Sequence, residues 1–223
     1  MERLVEELVD RIAAMPREQR ARVALDGAPA ARPGELADAL KDPLEAQGRF
    51  VLRASAAGFL RPASLRYEFG RTDPDAFYDD WLDESGLRRE TLDPLGPDGT
   101  GEALPSLWDA ERDRATRAQY VPVPPGGVLV LDGALLLGRG LPFELTVHLG
   151  MSQGALARRT PEAEKWTLPA YERYEVEIRP REIADIVVTV DDPRHPALIE
   201  GGSRTGSRTR RPAVWGPGPA RPR

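Results

Sequence analysis

Two apolar runs closed by the same dipeptide constrain this chain more than any other feature. ARVALDG (21–27) and VLVLDGALLL (128–137) pass through apolar residues with little polar alternation, and each meets an Asp-Gly. A strand that is apolar on both sides has to be covered on both sides, which is the condition of a parallel sheet buried between helices. The spacing along the chain fits. Leu4, Val5, Leu8, Val9 and Ile12 share one helical face, so residues 2–15 are expected to be an amphipathic helix, with residues 1–20 as helix and connector. A helix over Glu35–Gln47, with Leu36, Ala39, Leu40 and Leu44 inward, and a strand over Arg49–Ser55 follow the first apolar run. The stretch 56–73 is mixed. Helices are expected over Asp75–Asp83 and Ser85–Leu92, parted at Gly86, and 93–106 reads as a Pro- and Gly-rich loop. Beyond the second apolar run come a strand LTVHLG (145–150), a helix through Arg159, a helix over Leu168–Glu177 and a last strand ADIVVTV (184–190).

Strands alternating with helices predict an α/β fold: a parallel sheet with helices on both faces, as a single domain over 21–200. Ligands of such sheets bind beyond the carboxyl ends of the strands, so the segments to inspect are 26–34, 55–62 and 132–140. The absence of cysteine excludes thiolate metal sites and cysteine nucleophiles, and two histidines, His148 and His195, argue against a multi-histidine metal site. No metal ligand set is predicted. No apolar run reaches the ~20 residues that span a bilayer, and the N-terminus mixes acids with its apolar residues, so neither a membrane partner nor a signal peptide is expected and a cytoplasmic location is.

The formal charge of −5 is unevenly spread. Residues 201–223 hold six arginines and no acid, so the remainder carries about −11. The acidic body has no electrostatic reason to bind nucleic acid, whereas the basic tail suits an acidic partner. Rich in Gly, Ser, Arg and Pro, that tail is expected to be disordered.

The turn after the first strand carries the most chemistry. A nucleotide phosphate loop is a strand, then G-x-x-x-x-G-K-[ST], then a helix; its glycines let backbone N–H groups face phosphate, its lysine bridges the β- and γ-phosphates, and its hydroxyl binds magnesium. Here VALD leads into GAPAARPG and the helix ELADAL. Gly27 holds the first glycine position, but Arg32, Pro33 and Gly34 stand at the second glycine, lysine and hydroxyl positions. By itself the loop also reads as an ordinary strand-to-helix turn with proline at the first helical position.

Five segments in order give this loop a context: DGAPAARPGELADAL; SAAGFLRPASLR (55–66); TDPDAFYDDWLD (72–83); LVLDGALLL with LARRTP (156–161); and LPAYERYEVEIRPREIADIVV (168–188). Together, over about residues 21–192, they resemble the uridine kinase and phosphoribulokinase family of P-loop proteins, and more loosely its short actinobacterial-type uridine kinases. The resemblance implies a P-loop NTPase-like sheet, ATP and magnesium as cofactors, and transfer of the γ-phosphoryl group to the 5′-hydroxyl of uridine or cytidine. It also implies a carboxylate near that hydroxyl, at a position held here by Ala57 or Gly58, ahead of Phe59.

The lysine, the magnesium hydroxyl and the catalytic carboxylate are therefore all missing, and Pro33 removes a backbone N–H where donors converge on phosphate. Arginine binds phosphate well, so Arg32 can supply charge but neither the N–H nor the metal ligand. ATP and magnesium are expected to bind weakly or not at all. Asp132 matches the family's metal-associated acid or forms the turn; Asp26 is equally ambiguous. Arg158 and Arg159 match its lid arginines or decorate a helix end. Trp108 and Asp109 match its nucleoside-side Tyr-Asp pair, with Trp108 alternatively a core anchor, and Asp113 stands where the family has a histidine. His148 reads as a core histidine, and Asp79, Asp80 and Asp83 as a solvated face. Three functions remain open: a uridine kinase-like enzyme of weak or lost activity; a non-catalytic module binding a nucleotide, a nucleoside or a protein; or an interaction protein whose basic tail docks an acidic surface.

Overall fold

The computed structural model describes residues 2–192 and the backbone of 197–200. Helix α1 (Glu2–Ala13) precedes strand β1 (Ala21–Asp26), helix α2 (Pro33–Ala46) and strand β2 (Val51–Ser55). Short helices α3 (Ala63–Arg66), α4 (Pro74–Asp79) and α5 (Glu84–Leu87) lead to β3 (Val128–Gly133) and β4 (Leu145–Gly150). Helices α6 (Gln153–Arg159), α7 (Leu168–Glu177) and α8 (Pro180–Ile183), strand β5 (Ile186–Thr189) and strand β6 (Ala197–Glu200) complete the chain. The sheet order is β6-β5-β4-β1-β3-β2; the first five strands in the chain are parallel to their neighbours and β6 is antiparallel to β5. The expected tail, 201–223, lies outside the described residues.

Side-chain parity along the strands divides the core. Val23 and Leu25 of β1, Val128 and Val130 of β3, and Ile186 and Val188 of β5 face α1 and α2, joining Leu8, Ile12, Leu36, Leu40 and Leu44. The alternate residues Ala24, Leu129 and Leu131 face Phe59, Leu87, Leu92 and Leu95, while Val187 meets Tyr171 and Tyr174 of α7. Both faces are thus covered, which is why the strands had to be apolar throughout. The same parity sends His148 to the α7 side, because Val147 and Leu149 belong to the α1–α2 face, and Asp132 to the α2 side along with Val130.

Several boundaries differ from the sequence reading. The helix expected over Asp75–Asp83 stops at Asp79, and the break before the next lies at 80–83 rather than at Gly86, because Asp83 caps α5 by accepting the Gly86 N–H at 2.9 Å. Residues Arg88–Leu92 continue as a π-helical turn. The mixed stretch contains a 3-10 turn (Ala56–Phe59) and α3, and the loop at 93–106 holds another 3-10 turn (Asp93–Leu95) and a two-residue ribbon strand. Arg49, expected to open β2, instead is a buried anchor, 2% exposed. Its guanidinium donates to the carbonyl of Gly126 (2.8 Å) and to those of Ile12 (3.2 Å), Ala13 (2.9 Å) and Met15 at the end of α1. A helix leaves its last carbonyls unpaired, and a cation there satisfies them.

Among the described residues no helix is long and apolar enough to cross a membrane.

Candidate functional site: the turn after the first strand

The carboxyl ends of β1, β2 and β3 converge beneath the N-terminus of α2. Gly27 lies tight against the next strand: a Cβ there would come 3.1 Å from both Cβ and O of Leu149. Pro29–Ala31 then form a 3-10 turn in which the N–H groups of Ala31 and Arg32 donate to the carbonyls of Ala28 (2.8 Å) and Pro29 (2.9 Å). Arg32 has φ +58 and ψ 49, and Pro33 opens α2. The backbone therefore keeps a left-handed residue at the second glycine position of a phosphate loop, although the residue is arginine. Pro29 and Pro33 have no N–H, and the N–H groups of Ala31 and Arg32 are already bonded within the turn. Arg32 itself is exposed and pairs with Glu35 at 3.3 Å.

Asp132 ends β3, 8% exposed. Its Oδ2 accepts from the Ser55 hydroxyl at 3.2 Å, and its Oδ1 lies 2.7 Å from a guanidinium nitrogen of Arg53. That nitrogen aims its hydrogens at the carbonyls of Ala54 (2.6 Å) and Val130 (3.3 Å), so Oδ1 has the cation beside it without a hydrogen bond of its own. The rest of the Arg53 head bonds Asp38 (2.9 Å) and the carbonyl of Gly34 (3.4 Å). Sequence reasoning passed over Arg53 as one residue of a strand; only strand pairing places it beside Asp132. A magnesium ion, which the family resemblance implies, does not fit this arrangement: the acid is already compensated by a fixed cation and Gly34 supplies no hydroxyl. Among the described residues no cluster of three or more His, Asp or Glu could hold a metal.

Above the turn lies a cleft of about 460 Å³ lined by Gly27, Arg32, Pro33, Gly34, Ser55, Ala57 and Asp132, and by Phe77, Trp81 and Tyr171. It adjoins a second hollow of about 670 Å³ that shares Pro29, Arg32, Phe77, Trp81 and Tyr171 and adds Trp166. The aromatic rings pack edge to face, with Phe77 centroids 5.2 Å from Trp81, 5.6 Å from Trp166 and 5.9 Å from Tyr171. The indole Nε1 of Trp81 is buried without a hydrogen-bond partner. This aromatic wall was not singled out in the sequence, though the Phe77 and Trp81 spacing of four residues hinted at a shared face.

The structure separates the two positions left open for the missing carboxylate. Ala57 is exposed and lines the cleft, whereas Gly58 faces away: a Cβ there would come 2.8 Å from Ser106 Cβ, and its carbonyl accepts from Leu107 at 2.7 Å. Of the other predicted residues, Arg159 lines the second hollow and the rest lie away from the cleft. Arg158 is exposed on the last turn of α6, and Arg159 donates to the carbonyls of Val190 (2.8 Å) and Asp191. Trp108 sits on a two-residue ribbon and donates to Asp113 at 3.1 Å, while Asp109 accepts the N–H groups of Glu111 (3.2 Å) and Arg112 (3.0 Å). Asp26 is fully buried and forms a network with His148, Tyr174 and the N–H of Leu136.

A parallel sheet in this order, with a strand-to-helix turn of this form under a cleft, decides the architecture. The fold is that of the P-loop kinases. Solved structures agree. A possible uridine kinase from Bacillus stearothermophilus superposes with a TM-score of 0.68 at 19% identity, over 84% of this chain and 99% of that one. A putative fructose transport system kinase from Silicibacter sp. TM1040 gives 0.56 at 23% identity, over 81% and 93%. The YGR205w protein gives 0.52 at 11%, over 84% and 90%. The sequence matches no protein-family model and no curated protein. Within the P-loop kinase fold, this chain has Arg32, Pro33 and Gly34 at the turn into α2 and Asp132 at the end of β3.

Proposed function

We propose that this protein is a non-catalytic member of the P-loop kinase fold that binds a nucleoside-like ligand in the cleft without transferring phosphoryl groups. The observation that carries this reading is Arg53 seated against Asp132, with Pro33 and Gly34 where a lysine and a hydroxyl would stand. Phosphoryl transfer is achieved by positioning and charge stabilisation around phosphate and metal. Removal of one such contact costs on the order of 10²–10³ in rate, and here the lysine, hydroxyl and carboxylate positions are all changed. The cleft retains aromatic rings on which a planar, uncharged ligand would pack.

Calorimetric titration with uridine and cytidine should give binding that needs no metal. ATP with magnesium should bind more weakly than ~10 μM, equivalent to about −7 kcal/mol, and a coupled assay should show no ADP formed above background. Turnover by the unaltered protein would overturn the proposal. Adding Pro33→Lys and Gly34→Thr should tighten ATP binding, since a Cβ at 34 meets Asp132 at an ordinary 3.5 Å. Turnover should require Ala57→Asp as well.

A further inference from the structure

We propose that a separate cavity behind the turn is a binding site for a small uncharged ring compound bearing one hydrogen-bond acceptor. The cavity, about 180 Å³, lies between the end of β4, helices α6 and α7, and Gly27–Ala28. Its walls are apolar, formed chiefly by Leu135, Leu149, Met151, Leu156, Leu168 and Tyr171. It shares only Gly27, Ala28, Leu135 and Tyr171 with the two hollows of the cleft, and those residues form the partition.

One polar group on its wall is left over. His148 is 4% exposed. Its Nδ1 lies 2.7 Å from Asp26 Oδ2, which also accepts the Tyr174 hydroxyl at 3.1 Å. Its Nε2 is buried and forms an ion pair with Glu175 Oε1 at 3.6 Å, beyond hydrogen-bond distance, so it has no hydrogen-bond partner among the described residues. An imidazole between two carboxylates is favoured in its charged form, so both ring nitrogens are donors. A buried donor without an acceptor is costly, and a ligand oxygen would offset that cost.

Size and charge narrow the ligand. A cavity of about 150 Å³ lined by aliphatic side chains takes up a benzene-sized ring. Asp26, Glu172 and Glu175 oppose an anion. A cation gains little, because Asp26 is engaged by His148 and Tyr174, and Glu175 faces both His148 and Arg181 (3.8 Å). A neutral ring with one carbonyl or ether oxygen meets both conditions.

The test uses the full chain and cyclohexanone, read from the His148 side-chain nitrogen resonances and the Leu156 methyl resonances. Both sets should shift saturably and together. Cyclohexanecarboxylate, the same ring with a negative charge, should bind at least tenfold more weakly. Leu156→Trp or, should that variant not fold, Ala157→Phe should fill the cavity and weaken cyclohexanone at least tenfold. No saturable shift up to the solubility limit overturns the proposal, as does equal binding of the carboxylate, unchanged binding in the folded variant, or crystals soaked in cyclohexanone that hold only water there. None of these outcomes depends on nucleoside binding in the cleft, so the two readings stand or fall separately.

Discussion

Arg32 shows what a backbone can retain after its sequence has changed. Its φ of +58 is the conformation that a second phosphate-loop glycine adopts freely and that costs an L residue roughly 1–2 kcal/mol. Among the described residues its exposed side chain makes only the Glu35 pair, and exposed ion pairs contribute little. Arg32→Gly should therefore stabilise the protein, by about 0.5–1 kcal/mol after the greater freedom of glycine in the unfolded chain is subtracted, as read by urea denaturation. At the other end of the turn, burial alone would depress the His148 imidazolium, but the carboxylates of Asp26 and Glu175 outweigh it and hold the group above its ordinary value. A raised folded value gives stability that is fully present below the unfolded value of ~6.5 and is lost as the pH rises through the folded one. The urea-derived stability should thus fall as the pH rises above about 6.5, with the slope flattened in His148→Gln. An equal slope in that variant would remove His148 as the cause. Burial and the Asp26 charge push the Tyr174 hydroxyl well above its ordinary range, so it remains a donor throughout.

The elements were legible where their apolar period was uninterrupted. The strands at 21–26 and 145–150 and helix α7 lie where hydrophobic pattern alone put them, whereas the strand expected over 128–137 stops at Gly133. Elements between 56 and 106 were harder, because short helices there are started by side-chain caps such as Asp73 on the Ala76 N–H at 2.7 Å and Asp83 on Gly86, not by a change in period. Arg49 illustrates the same limit: a lone arginine at a strand entrance gives no sign that it will collect the carbonyls ending a helix more than thirty residues earlier. Arg49→Ala leaves those buried carbonyls unpaired and should lower stability by about 3 kcal/mol. Hydrogen exchange would locate the loss, since the amides of α1 should lose protection while those of β1 and β3 keep theirs. Uniform loss across the sheet would show that α1 does not dock through this residue.

At the scale of the whole molecule, a ligand that binds only the folded state stabilises it by mass action, about 2.7 kcal/mol at a hundredfold excess over its dissociation constant. If the cleft works without metal, uridine should raise the melting temperature equally in EDTA and in magnesium. A shift seen only with magnesium would mean that Asp132 leaves Arg53 to take a metal. Two levels of information meet in this fold. The sequence by itself determined the α/β class, the position of the turn after β1 and the presence of Pro33 and Gly34 in place of a lysine and a hydroxyl residue at that turn, because those follow from hydrophobic period and from residue identity at known spacing. Only the tertiary structure decided that Arg53 neutralises Asp132, that Ala57 rather than Gly58 faces the cleft, that Trp108 and Arg158 lie apart from it, and that His148 joins Asp26. Each of these depends on strand register and on which face of the sheet a side chain takes, and such pairings join residues as many as 122 apart, as in Asp26 and His148. Local pattern encodes the strands, but their pairing is selected by the joint burial of both faces, a property of the assembled sheet.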